Sequence, residues 1–283
     1  MNSSPRRQQT IGRAVGVAGY GYWSGRDVHV EFRPAPPDTG LVFVRGDLSP
    51  AARIPALCQY RVETPRRTTL SCGGAAVEMV EHVLAALSGL QIDNCEIWVD
   101  RPELPGCDGS SAAFVEALDA AGTVEQSVNR SRLVVREHVR VGNDESWVEA
   151  WPTTDAVWSL NYKLDYGAKS SIGRQTIQLQ VTPESFRREL APARTFILQE
   201  EAEWLRSRGL GSRVTAQDLL VFDENGPVDN TLRFADECVR HKALDLVGDL
   251  ALAGCDLVGS VVAYRSGHRL NAELVKSLLA EGA

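Results

Sequence analysis

The chain has 283 residues, 43% of them hydrophobic and 24% charged, a composition that fits a soluble globular protein of one large domain or two of moderate size. A formal net charge of −7 argues against a nucleic-acid-binding surface, yet leaves room for a small anion held by a few converging Lys or Arg side chains. No apolar run approaches the roughly 20 residues that cross a bilayer. No integral membrane segment is therefore expected. The six cysteines include no C-x-x-C pair, which suits reduced thiols and a cytoplasmic location.

The opening MNSSPRRQQT carries two arginines but runs into a stretch too glycine-rich and too short for a signal peptide. Alternating residues broken by Gly and Pro turns then predict strands through GRAVGVAGYGYWSGRDVHVEFRPAPPDTGLVFVRGDL. Helical spacing predicts a helix over 75–90, ending at Gly89, followed by a short strand CEIWVD (95–100), a loop, and a second helix over 111–122. The polar run SVNRSR (127–132) reads as a linker. Beyond it, RLVVREHVRVGNDESWVEAWP and VWSLNYKLDY predict strands, and TIQLQVTPESFRREL a strand entering a helix. A helix EEAEWLRSRGL follows, then helix DECVRHKALDLVGDLALAG, strand LVGSVVAY, loop RSGHRLN and helix AELVKSLLA.

Aligning His82 with His241 exposes an internal repeat of helix, strand, loop and helix. One single-residue gap brings Phe114–Val115 onto Leu274–Val275 and Asp108 onto His268. The repeat predicts two similar α+β domains whose facing helices bring His82 close to His241.

Five histidines are present, of which His29 and His138 sit in alternating runs and read as strand residues. The other three fall in the repeats. His241, Asp245 and Asp249 recur every four residues, which stacks them along one stripe of a helix. A helix-surface stripe explains this spacing as readily as a metal half-site does. With His82 supplied from the equivalent helix, His82, His241 and Asp245 make a His2Asp ligand set with a fourth position left for water. Such N/O ligands suit Zn²⁺, one per chain, and do not exclude Fe²⁺. Glu81, next to His82, could deprotonate a water there, and His268 could protonate a leaving amine while Asp249 holds its charge and tautomer.

The runs VEHVLAALSGLQIDN, PELPGCDGSSAAFV, ARTF, LRFADECVRHKALDLVGDLALAG and AYRSGHRLN, with the opening FRPAPPDTG, resemble the UDP-3-O-acyl-N-acetylglucosamine N-deacetylases of lipid A biosynthesis, in family order across nearly the whole chain. The resemblance implies an α+β fold of two similar domains, each a β-sheet with two helices, the helices sandwiched between the two sheets. The boundaries are then 1–127 and 128–283, the second domain carrying an insert around 196–222. It implies zinc on His82, His241 and Asp245, Glu81 as general base for the water that attacks the N-acetyl carbonyl, and Thr195 as a donor to the tetrahedral oxyanion. His268, backed by Asp249, would stabilise that oxyanion and protonate the amine. Lys242 and Arg265 match positions that contact the nucleotide diphosphate. Tyr166 falls against the uracil, and Phe196 and Leu198 near the mouth of the acyl passage. The implied partner is a UDP-linked acylated amino sugar, bound by a monomer.

Two features depart from the family pattern. GYWSG places Trp23 where the family has a histidine, and RGLGSRVTAQDLLVF (208–222) keeps only Gly211 of a paired glycine. These leave open a relative with the same chemistry on another N-acylated sugar, or a protein that only binds UDP-sugars.

Overall fold

The structure is a computed structural model and describes residues 5–155 and 157–282. The first four residues of the segment read above as lacking a signal peptide lie outside it. The fold is mixed α+β, dominated by sheets. Strands Val15–Tyr20, Asp27–Pro34, Cys95–Val99, Leu41–Arg45 and Ala52–Pro55 form a five-stranded sheet in that order. In Asp27–Pro34 the period-2 alternation is direct: Val28, Val30 and Phe32 are buried, whereas His29 faces solvent. Strands Val139–Gly142, Trp147–Trp151, Asp256–Tyr264, Trp158–Asp165 and Arg174–Gln180 build the second large sheet, with Arg132–Val134 added alongside Asp256–Tyr264.

The two sheets share one connectivity. Each central strand, Cys95–Val99 or Asp256–Tyr264, runs antiparallel to one neighbour and parallel to the other, and both outer strands are antiparallel. This is the repeat seen in the sequence, now visible as topology.

Among the described residues, six α-helices accompany the sheets: α1 (Glu81–Gly89), α2 (Ala112–Ala121), the single turn α3 (Pro183–Ser185), α4 (Gln199–Ser207), α5 (Glu237–Leu250) and α6 (His268–Gly282). α1 is apolar around most of its circumference, with Val83, Leu84, Ala85, Ala86 and Leu87 all fully buried, as a helix enclosed on several sides requires. Burying Leu84 or Leu87 contributes about 1.5–3 kcal/mol each. α1 packs on α5 and α2, and α5 packs on α6 and on strands Trp158–Asp165 and Arg174–Gln180. α1 and α5 approach so closely at Gly248 that a Cβ there would clash with the Glu81 carbonyl oxygen.

Four local expectations change. Residues 75–78 form a strand, Ala75–Glu78, paired with Thr69–Cys72, and Met79 takes φ 60° before α1 starts at Glu81. The apolar spacing of 75–80 is therefore that of a half-buried strand and a turn, and pairing overrides helical propensity. The first half of the predicted linker lies in strand Thr123–Asn129, which pairs with Arg7–Ile11, and its last residue opens strand Arg132–Val134. His268 opens α6 instead of sitting in a loop, and His138 lies just before its strand, stacked on Trp151 at 3.7 Å.

Candidate active site

Helix α5 repeats its side chains at i, i+4 and i+8, so His241, Asp245 and Asp249 point the same way, and all three are buried. The close crossing at Gly248 brings the first turn of α1 against this stripe. The rings of His82 and His241 then lie 5.0 Å apart, edge to face. Among the described residues, His82, His241 and Asp245 form one cluster whose ligand atoms lie within 4.8 Å of one another.

The donor atoms converge on a gap. The His241 Nδ1–H donates to the Ala193 carbonyl at 3.1 Å, an assignment made from that partner, which leaves Nε2 as a lone-pair donor. Asp245 Oδ1 lies 3.3 Å from His241 Nε2 and 3.6 Å from His82 Nε2. That oxygen is buried and has no hydrogen-bond partner, while Oδ2 accepts from Lys242 Nζ at 2.6 Å. A buried, unpaired carboxylate oxygen facing two imidazole nitrogens is costly alone and well suited to a divalent cation. Burial holds His241 down at about 4, so its ring is neutral at physiological pH. Although burial opposes ionisation of Asp245, His241 and Lys242 hold its carboxyl well below the usual range.

The second arm is a hydrogen-bonded pair, His268 and Asp249. His268 Nδ1 bonds Asp249 Oδ2 at 2.8 Å. Asn271 Nδ2 donates to that same oxygen at 2.8 Å, and the Thr68 hydroxyl donates to Oδ1 at 2.6 Å. Burial alone would lower His268, but the Asp249 carboxylate wins and raises it to about 9. Asp249 itself is held below its ordinary value despite burial, through His268 and these donors. Glu81 is buried and raised by that burial, and its Oε2 accepts the Thr68 backbone N–H at 2.9 Å.

The metal-ligand cluster, Glu81 and His268 open onto one cavity of about 1140 Å³. Glu81, His82, Thr195, His241, Lys242, Asp245 and His268 line its floor, and Tyr166, Phe196 and Arg265 also face it. Tyr166 and Phe196 meet edge to face at 5.8 Å. Leu198 is not among the lining residues; Ile197 is, together with Ala202, Leu205, Leu210 and Val214, which give that side an apolar surface. Lys242 is committed to Asp245 rather than projecting freely into the space. Asp249 sits behind His268, fully buried, with no exposure to the cavity. Trp23 also lines the cavity; its backbone N–H donates to Glu103 Oε1 at 2.7 Å, and the Arg67 guanidinium lies 4.7 Å over its ring. The altered segment at 208–222 contributes Leu210, Gly211, Val214, Thr215, Leu219 and Val221 to the same wall.

Thr68, Asn271 and the Ala193 carbonyl carry no motif of their own and emerge only in three dimensions. Residues 8–280 match the family model described as UDP-3-O-acyl N-acetylglycosamine deacetylase. Proteins from Brucella ovis, Brucella canis and Brucella suis, each named UDP-3-O-acyl-N-acetylglucosamine deacetylase, are 40% identical over 276 residues, covering 97% of this chain and 96% of each relative.

Proposed function

The chain belongs to the UDP-3-O-acyl N-acetylglycosamine deacetylase family, and from that premise we propose that it is a zinc-dependent hydrolase removing the N-acetyl group of a UDP-3-O-acyl-N-acetylglucosamine. The products are the free amine and acetate, the committed step of lipid A biosynthesis. The observation that carries the reading is the unpaired Asp245 Oδ1 between His82 and His241, with Glu81 and His268 opening onto the same cavity and Asp249 bonded behind His268.

His82, His241 and Asp245 would hold the metal; bound there, it lowers the pKa of a water toward ~7 and polarises the acyl carbonyl. Glu81, anchored through Oε2 to Thr68, takes the proton from the attacking water. Thr195 and the cationic His268 stabilise the oxyanion as the carbonyl becomes tetrahedral. His268 then gives its proton to the departing nitrogen, so that a neutral amine leaves. Asp249 keeps His268 charged and fixes its Nδ1, directing Nε2 as the donor.

Arg265 and Tyr166 at the cavity wall fit a nucleotide diphosphate and its base, and Phe196 fits the entry to the acyl passage. Lys242, tied to Asp245, contributes charge rather than a free contact. For Leu198 we transfer the acyl-mouth role to the neighbouring Ile197. The two sheets of equal connectivity support a division into domains 1–127 and 128–283, with an insert around 196–222 and the helices lying between the sheets. Among the described residues no helix is long and apolar enough to cross a membrane.

Acetate release from UDP-3-O-acyl-N-acetylglucosamine, measured with zinc and after chelation, tests the proposal. Turnover that is abolished by chelation and restored by zinc is expected; purified zinc-loaded protein that releases no acetate sinks it. Trp23 and the 208–222 wall favour one second reading, the same chemistry on another N-acylated sugar whose recognition does not use the acyl passage. Equal turnover of acylated and non-acylated UDP-N-acetylglucosamine would select it.

A further inference from the structure

Thr68 touches both arms of the site. It is fully buried, lies outside the cavity lining, and immediately precedes strand Thr69–Cys72. Its carbonyl accepts from the Val80 N–H at 3.3 Å, which pins it to the residue before α1. Its own N–H donates to Glu81 Oε2 at 2.9 Å, so that oxygen is occupied and the carboxylate plane is set. Its hydroxyl proton goes to Asp249 Oδ1 at 2.6 Å. Asp249 Oδ2 receives His268 Nδ1 and Asn271 Nδ2, both at 2.8 Å, and Asn271 Oδ1 accepts in turn from Ser266 Oγ at 2.9 Å.

We propose that Thr68 is a positioning residue that couples the general base to the His268–Asp249 pair, its backbone N–H orienting Glu81 while its hydroxyl locks Asp249. The proposal rests on the deacetylase reading for the role of these groups, while its geometry stands apart from it. A threonine hydroxyl has one proton to donate, and Asp249, an anion, can only accept it. With Oδ1 engaged, Oδ2 is left to face His268, and the imidazole plane is set by that acceptor. Without the hydroxyl, Oδ1 is a buried anionic oxygen lacking its donor, and the carboxylate turns to find another. The imidazole turns with it, so the loss falls on the chemical step and not on substrate binding.

The test is a double-mutant cycle in the zinc-loaded enzyme, joined to a proton spectrum of the metal-free protein. Thr68→Val is expected to lower kcat about 10–100-fold, the usual range for a hydrogen bond that orients a functional group, with KM little changed. Thr68→Ser restores kcat. In an Asp249→Asn background Thr68→Val costs almost nothing more, because the acceptor it orients has lost its charge. The His268 Nδ1 proton, hydrogen-bonded to a carboxylate, gives a far-downfield resonance in wild type and Thr68→Ser that broadens or vanishes in Thr68→Val. If Thr68→Val does not fold, Thr68→Ala carries the same expectations. Undiminished resonance and kcat in Thr68→Val, or equal losses in both backgrounds, overturn the proposal. A wild-type enzyme inactive on the substrate defeats the deacetylase reading alone, since the resonance still judges Thr68.

Discussion

At the scale of single residues, the site gives the proposed base, Glu81, and the proposed acid, His268, different surroundings. Glu81→Ala removes the base without touching His82, His241 or Asp245. Turnover is expected to fall ~10²–10⁴-fold while bound zinc, measured by elemental analysis, stays stoichiometric. Loss of the metal along with activity would show that Glu81 holds the centre together instead. His268 is governed by the contest between burial, which lowers it, and Asp249, which raises it to about 9. Its proton is therefore present through neutral pH and is lost as pH rises toward that value. In Asp249→Asn burial acts unopposed by that charge, so the alkaline limb of kcat/KM is expected to move to lower pH, read from a pH–rate profile. An unmoved limb would assign it to another group. The stripe on α5 was legible because four-residue spacing is a local property of a helix, and the internal repeat supplied His82. Thr68 was not legible, because both of its bonds depend on folding: one spans 13 residues and the other 181.

At the scale of elements, the site depends on how closely α1 and α5 can cross. Gly248 is the permitting residue, since a methyl there would meet the Glu81 carbonyl. Gly248→Ala is expected to destabilise the fold by about 1–3 kcal/mol, as overpacking does, and to weaken zinc binding by separating His82 from His241. Urea unfolding and a zinc titration read the two effects. A variant with wild-type affinity for zinc would show that the crossing tolerates the methyl. Helices α2 and α5 stood out from their apolar spacing because each buries a continuous face. The start of α1 did not, because Ala75 and Val77 are spaced as well for a strand as for a helix, and only pairing with Thr69–Cys72 decides. The polar run 127–132 read as a linker for the opposite reason: its strand pairs with Arg7–Ile11, a partner more than a hundred residues away along the chain.

At the scale of the whole molecule, the three candidate ligands join two similarly wired sheets, one from α1 of the first half and two from α5 of the second. The pairing of a helix–strand–helix unit in each half was legible because its order repeats in sequence, whereas the shape of the cavity was not, since its wall mixes Trp23 of the first half with Leu210 and Val214 of the second. A cation that binds only the folded arrangement stabilises it by mass action, about 2.7 kcal/mol when free metal is 100 times its dissociation constant. For a chain of this size each kcal/mol moves the melting temperature roughly 2–4 °C. Zinc is therefore expected to raise Tm by roughly 5–10 °C over chelated protein, as followed by differential scanning calorimetry. His82→Ala removes the one ligand contributed by α1, so the metal no longer joins the two halves, and most of the zinc-dependent rise should disappear while the chelated protein melts near the wild-type value. An undiminished rise in His82→Ala would mean that the stabilising metal sits elsewhere, and that the gap around Asp245 Oδ1 is not its site.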